Sequence, residues 1–132
     1  MTDHFEPWLP VEGLIANFYL QSLIQDGNEL TLMISTSIND GNLWLKINCR
    51  NCFTYRFSQE TARLKSLGVN IFGGTPLQRS CNSEYLNWYK EESYGISDQY
   101  NPVHYLILCD DIVEIICDPE PLVEWINDPS NE

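Results

Sequence analysis

The sequence predicts an α+β fold, an antiparallel sheet of about six strands with two or three helices packed on one face. Three observations lead there. Apolar residues alternate with period two from Leu14 to Phe57, helical spacing with cap residues replaces that alternation afterwards, and two short apolar runs flank Asp110-Asp111. At 132 residues and 43% hydrophobic, the chain is long enough to bury one core, and residues 1–132 read as a single domain. Residues 1–12 and 127–132 are expected to be loose.

The amino-terminal half reads as a four-stranded meander. The inward set is Leu14, Ala16, Phe18, Leu20 and Ile24, then Leu30, Leu32, Ile34 and Ile38, then Leu43, Leu45 and Ile47, then Phe53, Tyr55 and Phe57. Partners in a hairpin share a face, so each loop length is constrained. Pairing Ile24 with Leu30 leaves Asp26-Gly27-Asn28 as a three-residue loop. Pairing Ile38 with Leu43 leaves Asp40-Gly41, the preferred two-residue turn, and pairing Ile47 with Phe53 leaves Cys49-Arg50-Asn51.

Beyond the meander, Ser58 is placed to cap a short helix through Leu64, and Val69 to Phe72 reads as a short strand before the Gly73-Gly74-Thr75-Pro76 loop. A second helix is expected from about Ser83 to Ser93, capped by Asn82 or Ser83, with Tyr85, Leu86 and Tyr89 on one face and Trp88 beside them. Gly95 closes it. Val103 to Cys109 and Ile112 to Cys117 form a last hairpin about a two-residue turn, apolar on both faces. Asp118-Pro119-Glu120-Pro121 reads as a helix start, docked through Leu122, Val123, Trp125 and Ile126.

Charge narrows the function. The formal net charge is −12, and all seven basic residues lie between Lys46 and Lys90. A polyanion is repelled by such a surface, so nucleic acid is not an expected partner. No apolar run reaches the length of a membrane span, and the acidic amino-terminal stretch does not read as a signal peptide. Five scattered cysteines suit a reducing cytoplasm. The acidic ends are expected to fold back beside the basic middle, or to leave a carboxylate-rich face for a basic partner.

No constellation identifies a reaction, and no cofactor is expected. Cys49-x-x-Cys52 straddles a loop rather than opening a helix, so it lacks the setting of a redox motif, and no second ligand pair completes a zinc site around it. Cys49 and Cys52 are therefore weak metal candidates only. Under the two-residue hairpin, His104 stands opposite Cys117, the skeleton of a base and nucleophile without a third group. Glu114 faces Ile107 among apolar neighbours and is a candidate for a perturbed carboxylate. Asp110 and Asp111 read as turn formers. Gly73-Gly74-Thr75 lacks the lysine of a phosphate-binding loop. Trp44 stands on the outward face of its strand with Lys46 and Asn48, where it is expected to be covered by a helix or else exposed as a partner's anchor point.

The leading expectation is a non-enzymatic acidic protein-binding module, inhibitor or immunity-like, that meets a basic protein through Trp44, Asp110, Asp111, Glu114, Glu120 and Glu124. A small-ligand domain using an aromatic-lined sheet face is the first alternative. An enzyme using His104 and Glu114, or a cysteine, is the second. An edge strand of the meander offers a place for a homodimer contact.

Overall fold

The computed structural model describes residues 4–14, 17–59 and 75–131. They form strands β1 (His4–Pro7), β2 (Phe18–Asp26), β3 (Glu29–Thr36), β4 (Leu43–Cys49), β5 (Cys52–Gln59) and β6 (Leu77–Asn82), helix α1 (Glu84–Glu92), and strands β7 (Val103–Leu108), β8 (Asp111–Cys117) and β9 (Leu122–Asn127). Two antiparallel sheets result, ordered β1-β6-β7-β8-β5 and β2-β3-β4-β9. Among the described residues α1 is the one α-helix, and no helix is long and apolar enough to cross a membrane.

The core lies between the sheets. Leu30, Leu32 and Ile34 from β3 and Leu45, Ile47 and Cys49 from β4 meet Leu77, Tyr105, Ile107, Val113, Ile115 and Cys117 from the five-stranded sheet. In β3 the alternation is clean, with Thr31, Met33 and Ser35 turned outward. Strands β7 and β8 bury both faces, as their continuous apolar runs require. Their inner faces meet the other sheet, while Ile116 packs under Tyr85 and Leu86 of α1 and Leu106, Leu108 and Ile112 cluster with Phe5. Helix α1 starts at its expected cap, Ser83, whose Oγ accepts from the backbone N–H of Leu86 at 3.1 Å.

The predicted α+β fold, one sheet with two or three helices, is corrected to a mostly β structure, and each departure has a physical cause. Strand β5 does not extend the meander. After Cys49 the chain crosses to the other sheet, where β5 pairs with β8, and Cys52 donates its N–H back to Asn28 O at 2.8 Å. Period-two alternation reports that one face is buried, not against which sheet, and Tyr55 reaches the same core from the opposite side. The fourth strand of the meander sheet is instead β9, in place of the expected carboxyl-terminal helix. Val123 and Trp125 turn inward from β9 while Glu124 and Ile126 turn outward, and this two-faced apolar spacing also fits a helix. Segment His4–Pro7, within the end expected to be loose, adds β1 to the edge of β6. Ser58 and Gln59 end β5. The remainder of the expected helix through Leu64, the strand at Val69 to Phe72 and Gly73-Gly74 lie outside the described residues.

Register also shifts. A bulge between Leu20 and Ser22 moves β2 by one residue, so Leu23 packs on the core and Ile24 is 60% exposed. The turn shortens to Gly27-Asn28, with Gly27 at φ 61°. At the next connection Asn39, Asp40 and Gly41 all take positive φ, making a longer loop than Asp40-Gly41 alone.

These assignments separate Ile24, which the alternation places inward, from Ile115, which the fold does bury. Replacing fully buried Ile115 by Ala is expected to cost about 2–5 kcal/mol of unfolding free energy in urea denaturation, and Ile24→Ala less than about 0.5 kcal/mol. Comparable losses from both would contradict the observed register.

Candidate functional site

The largest concentration of chemistry sits on the outer face of the five-stranded sheet, under α1. The last β7–β8 pair is Leu108 with Ile112, which leaves three residues, Cys109 to Asp111, between paired positions, so His104 pairs with Ile116 and Leu106 with Glu114. This corrects the expected pairing of His104 with Cys117 and of Glu114 with Ile107. A one-residue change in the loop puts His104 and Glu114 on the same face. Arg56 of β5 stands opposite Glu114 on its other side.

Glu114 is 0% exposed. Arg56 donates to it twice, Nε to Oε2 at 2.7 Å and Nη2 to Oε1 at 3.1 Å, and His104 Nε2 lies 3.0 Å from Oε1. His104 Nδ1 lies 2.7 Å from Ser83 Oγ. Proton accounting fixes the direction of this chain. The Glu114 carboxylate can only accept, so the imidazole donates to it from Nε2, and in a neutral imidazole Nδ1 then accepts the hydroxyl proton of Ser83, whose oxygen accepts in turn from Leu86 N–H. The Arg56 guanidinium also lies 4.0 Å from the centroid of the Tyr85 ring. Burial pushes the Tyr85 phenol up, against its hydrogen bond with Thr54 and the charge of Arg56.

A hydroxyl, an imidazole and a carboxylate in series are the parts of a nucleophile, base and orienting acid. Their surroundings oppose that use. Ser83 and His104 are both buried, and the Phe5 and Tyr85 rings make T-shaped contacts with the imidazole, centroids 5.1 and 5.2 Å away. The serine oxygen is committed to the helix cap, and the carboxylate is neutralised by arginine. The arrangement works as a clamp that ties α1 to three strands.

The other expected site residues do not converge. Asp110 Oδ1 accepts the Leu20 N–H at 2.9 Å, joining the two sheets, and Asp111 O accepts from the Cys109 thiol. Glu120 Oε1 accepts from Trp8 Nε1 at 3.2 Å and from Arg79 at 3.3 Å. Only Trp44 and Glu124 share a surface, the outer face of the four-stranded sheet, where Trp44 pairs with Ile126 and Lys46 with Glu124. Ser83, Arg56 and Tyr85 are the residues that sequence reasoning missed as partners of His104 and Glu114. The parity of the last hairpin loop was the signal that could have joined them.

Among the described residues no group of three or more His, Cys, Asp or Glu is placed to hold a metal ion. All five thiols are free. Cys49 is pushed up to about 12, first by its interaction with Cys117 and further by burial, while Cys52 pulls it down. Burial pushes Cys109 up to about 11. Compared with protein-family models, curated proteins and solved structures, the chain matches none.

Two outcomes follow from this geometry. Glu114→Ala strands His104 and one face of Arg56, and an expected loss of about 3 kcal/mol lies at the low end for a broken buried pair because the Arg56 side chain is 37% exposed. Denaturant titration of this variant beside Glu124→Ala, expected within about 0.5 kcal/mol of the parent, checks it. Cys49 and Cys109 keep their protons in the folded state where the unfolded chain begins to lose them, so stability is complete below about pH 9 and falls as pH rises toward about 11 to 12. A Cys49→Ala/Cys109→Ala variant is expected to show a shallower decline in thermal midpoint across that window.

Proposed function

We propose that the protein is a non-enzymatic binding module that presents the outer face of its four-stranded sheet to a basic protein partner. The observation that carries this reading is an open, mixed surface with apolar ends. Three rows cross all four strands, Tyr19–Ser35–Trp44–Ile126, Ser22–Met33–Lys46–Glu124 and Ile24–Thr31–Asn48–Leu122. None of these residues is buried, and Ile24 and Leu122, at opposite ends of one row, are 60% and 54% exposed. The one described helix packs on the other sheet.

Charge supports the class of partner. Asp26, Glu29, Asp40, Glu124 and Asp128 lie on or around this sheet, against Lys46 and Arg50. Exposed apolar residues on the outer strands, with carboxylates around them, suit a partner carrying Lys and Arg beside its own apolar side chains, and the net charge of −12 favours fast encounter with it. Trp44 holds its indole in place by donating to Gly41 O at 3.2 Å, as a preorganised anchor does. Five unpaired thiols support a reducing cytoplasm as the place of action. The small-ligand alternative has less support, because the space between the sheets is filled by buried side chains.

Native mass spectrometry of the protein isolated from its host at low and at high salt tests the reading. A stoichiometric basic polypeptide is expected at low salt, lost as salt rises. It should also be lost from Trp44→Ala/Ile126→Asp protein and kept by Glu91→Gln, which lies on α1. Bare protein at its sequence mass in every preparation overturns the proposal, as does labelling of Ser83 by a fluorophosphonate, which would make the clamp a working nucleophile.

A further inference from the structure

Three of the five thiols meet where the chain passes between sheets. Cys49 closes β4 and is buried in the core, and Cys52 opens β5 after the two intervening residues Arg50 and Asn51. Cys117, the last residue of β8, is the cross-strand partner of Cys52. The Cys49 thiol lies within hydrogen-bonding reach of both of the others, and Cys52 Sγ also lies 3.5 Å from Thr54 O. Cys49 and Cys117 are closed off, whereas Cys52 is half-buried and is the one member of the trio that a reagent in solvent can reach. Cys49 and Cys117 belong to one core cluster and Cys52, three positions from Cys49 in the chain, packs against it, so Cys49 and Cys52 are placed to join with little backbone movement.

We propose that Cys49 and Cys52 form a dithiol–disulfide site, oxidised by a low-molecular-weight disulfide such as oxidised glutathione. Cys52 loses its proton to solvent and its sulfur attacks one sulfur of the reagent. The reagent S–S bond breaks, one thiolate leaves and is protonated, and a mixed disulfide remains on Cys52. Cys49 then deprotonates and attacks Cys52 Sγ, the second reagent thiolate leaves and is protonated, and the Cys49–Cys52 bond is complete. Two protein thiols have lost two electrons, and the reagent has become two thiols. Cys117 keeps its proton throughout.

The setting determines the rate. The thiolate is the attacking species, and the hydrogen bond to Cys49, with burial, holds the Cys52 thiol protonated well above its ordinary range. Oxidation is therefore slow at neutral pH and is expected to quicken by about tenfold per pH unit as the solution becomes alkaline. The product ties the end of β4 to the start of β5 across Arg50-Asn51, the segment that carries the chain from one sheet to the other. This site is separate from the outer face assigned to a partner above.

The sequence provides a direct readout, because trypsin cuts after Lys46, Arg50 and Arg56 and so parts Cys49 from Cys52. Folded Cys81→Ser protein, which lacks the exposed thiol, is treated with oxidised glutathione at about pH 8.5, alkylated and digested. Peptides Ile47 to Arg50 and Asn51 to Arg56 are expected as one species, two hydrogens lighter than their sum. The linked species should persist in an added Cys117→Ser variant and vanish in Cys52→Ser. Fully alkylated Cys49 and Cys52 after treatment, or Cys52 joined to the peptide that carries Cys117, overturns the proposal.

Discussion

A carboxylate without solvent has to be neutralised where it stands, and Glu114 sets that requirement at the middle of the five-stranded sheet. The solution draws on three other parts of the chain. Arg56 comes from the edge strand β5, His104 from the neighbouring β7, and Ser83 from the junction at which β6 becomes α1. Each partner is also occupied elsewhere: Arg56 against the Tyr85 ring, Ser83 against the first turn of the helix. Tyr85 in turn meets Thr54 at 3.1 Å. The position and tilt of α1 are thereby tied to the register of three strands, and slippage of any of them would leave a buried charge or a buried imidazole without its partner. Polar interactions of this kind add specificity of arrangement to a core that apolar packing alone would fill less uniquely.

Much of the local structure was legible in the sequence. The existence of the first two hairpins, the cap at Ser83, the buried face of α1 and the doubly covered β7 and β8 follow from periodicity and turn chemistry, though not the hairpins' turns or the register of β2. What was not legible was the assignment of strands to sheets. Phe53, Tyr55 and Phe57 alternate in phase with the preceding strands, yet Tyr55 meets the core from the far side and Phe57 is exposed. Two layers that enclose one core impose the same pattern on both, so alternation cannot distinguish a fourth meander strand from the first strand of a facing sheet. The same limit hid the clamp. His104, Glu114 and Arg56 were each visible as residues, and only the length of one loop decided that they share a face.

The charge distribution along the chain finds its explanation in long-range pairing. Arg56 and Arg79 belong to the basic middle, and their carboxylate partners Glu6, Glu114 and Glu120 come from the two acidic ends. The segregation seen in the sequence is thus partly an instruction for bringing the ends back to the centre. Exposed pairs such as Arg79 with Glu6 contribute little to stability, but they favour the arrangement in which β1 lies beside β6. The carboxylates left over, many of them on turns, give the surface its acidity.

The order of strands has a consequence for how the chain is made. Strand β4 lies between β3, its neighbour in sequence, and β9, which is synthesised after every other described strand. A nascent chain on the ribosome can therefore close the β2-β3-β4 hairpins early, but it carries an unpaired β4 edge until translation has passed through Leu122 to Asn127. That edge is Leu-Trp-Leu-Lys-Ile-Asn-Cys, a segment well suited to pairing with a stray strand. During biogenesis the vulnerable interval is set by the time needed to translate the intervening sequence, and Lys46 is the one charge along that edge that discourages a mistaken partner.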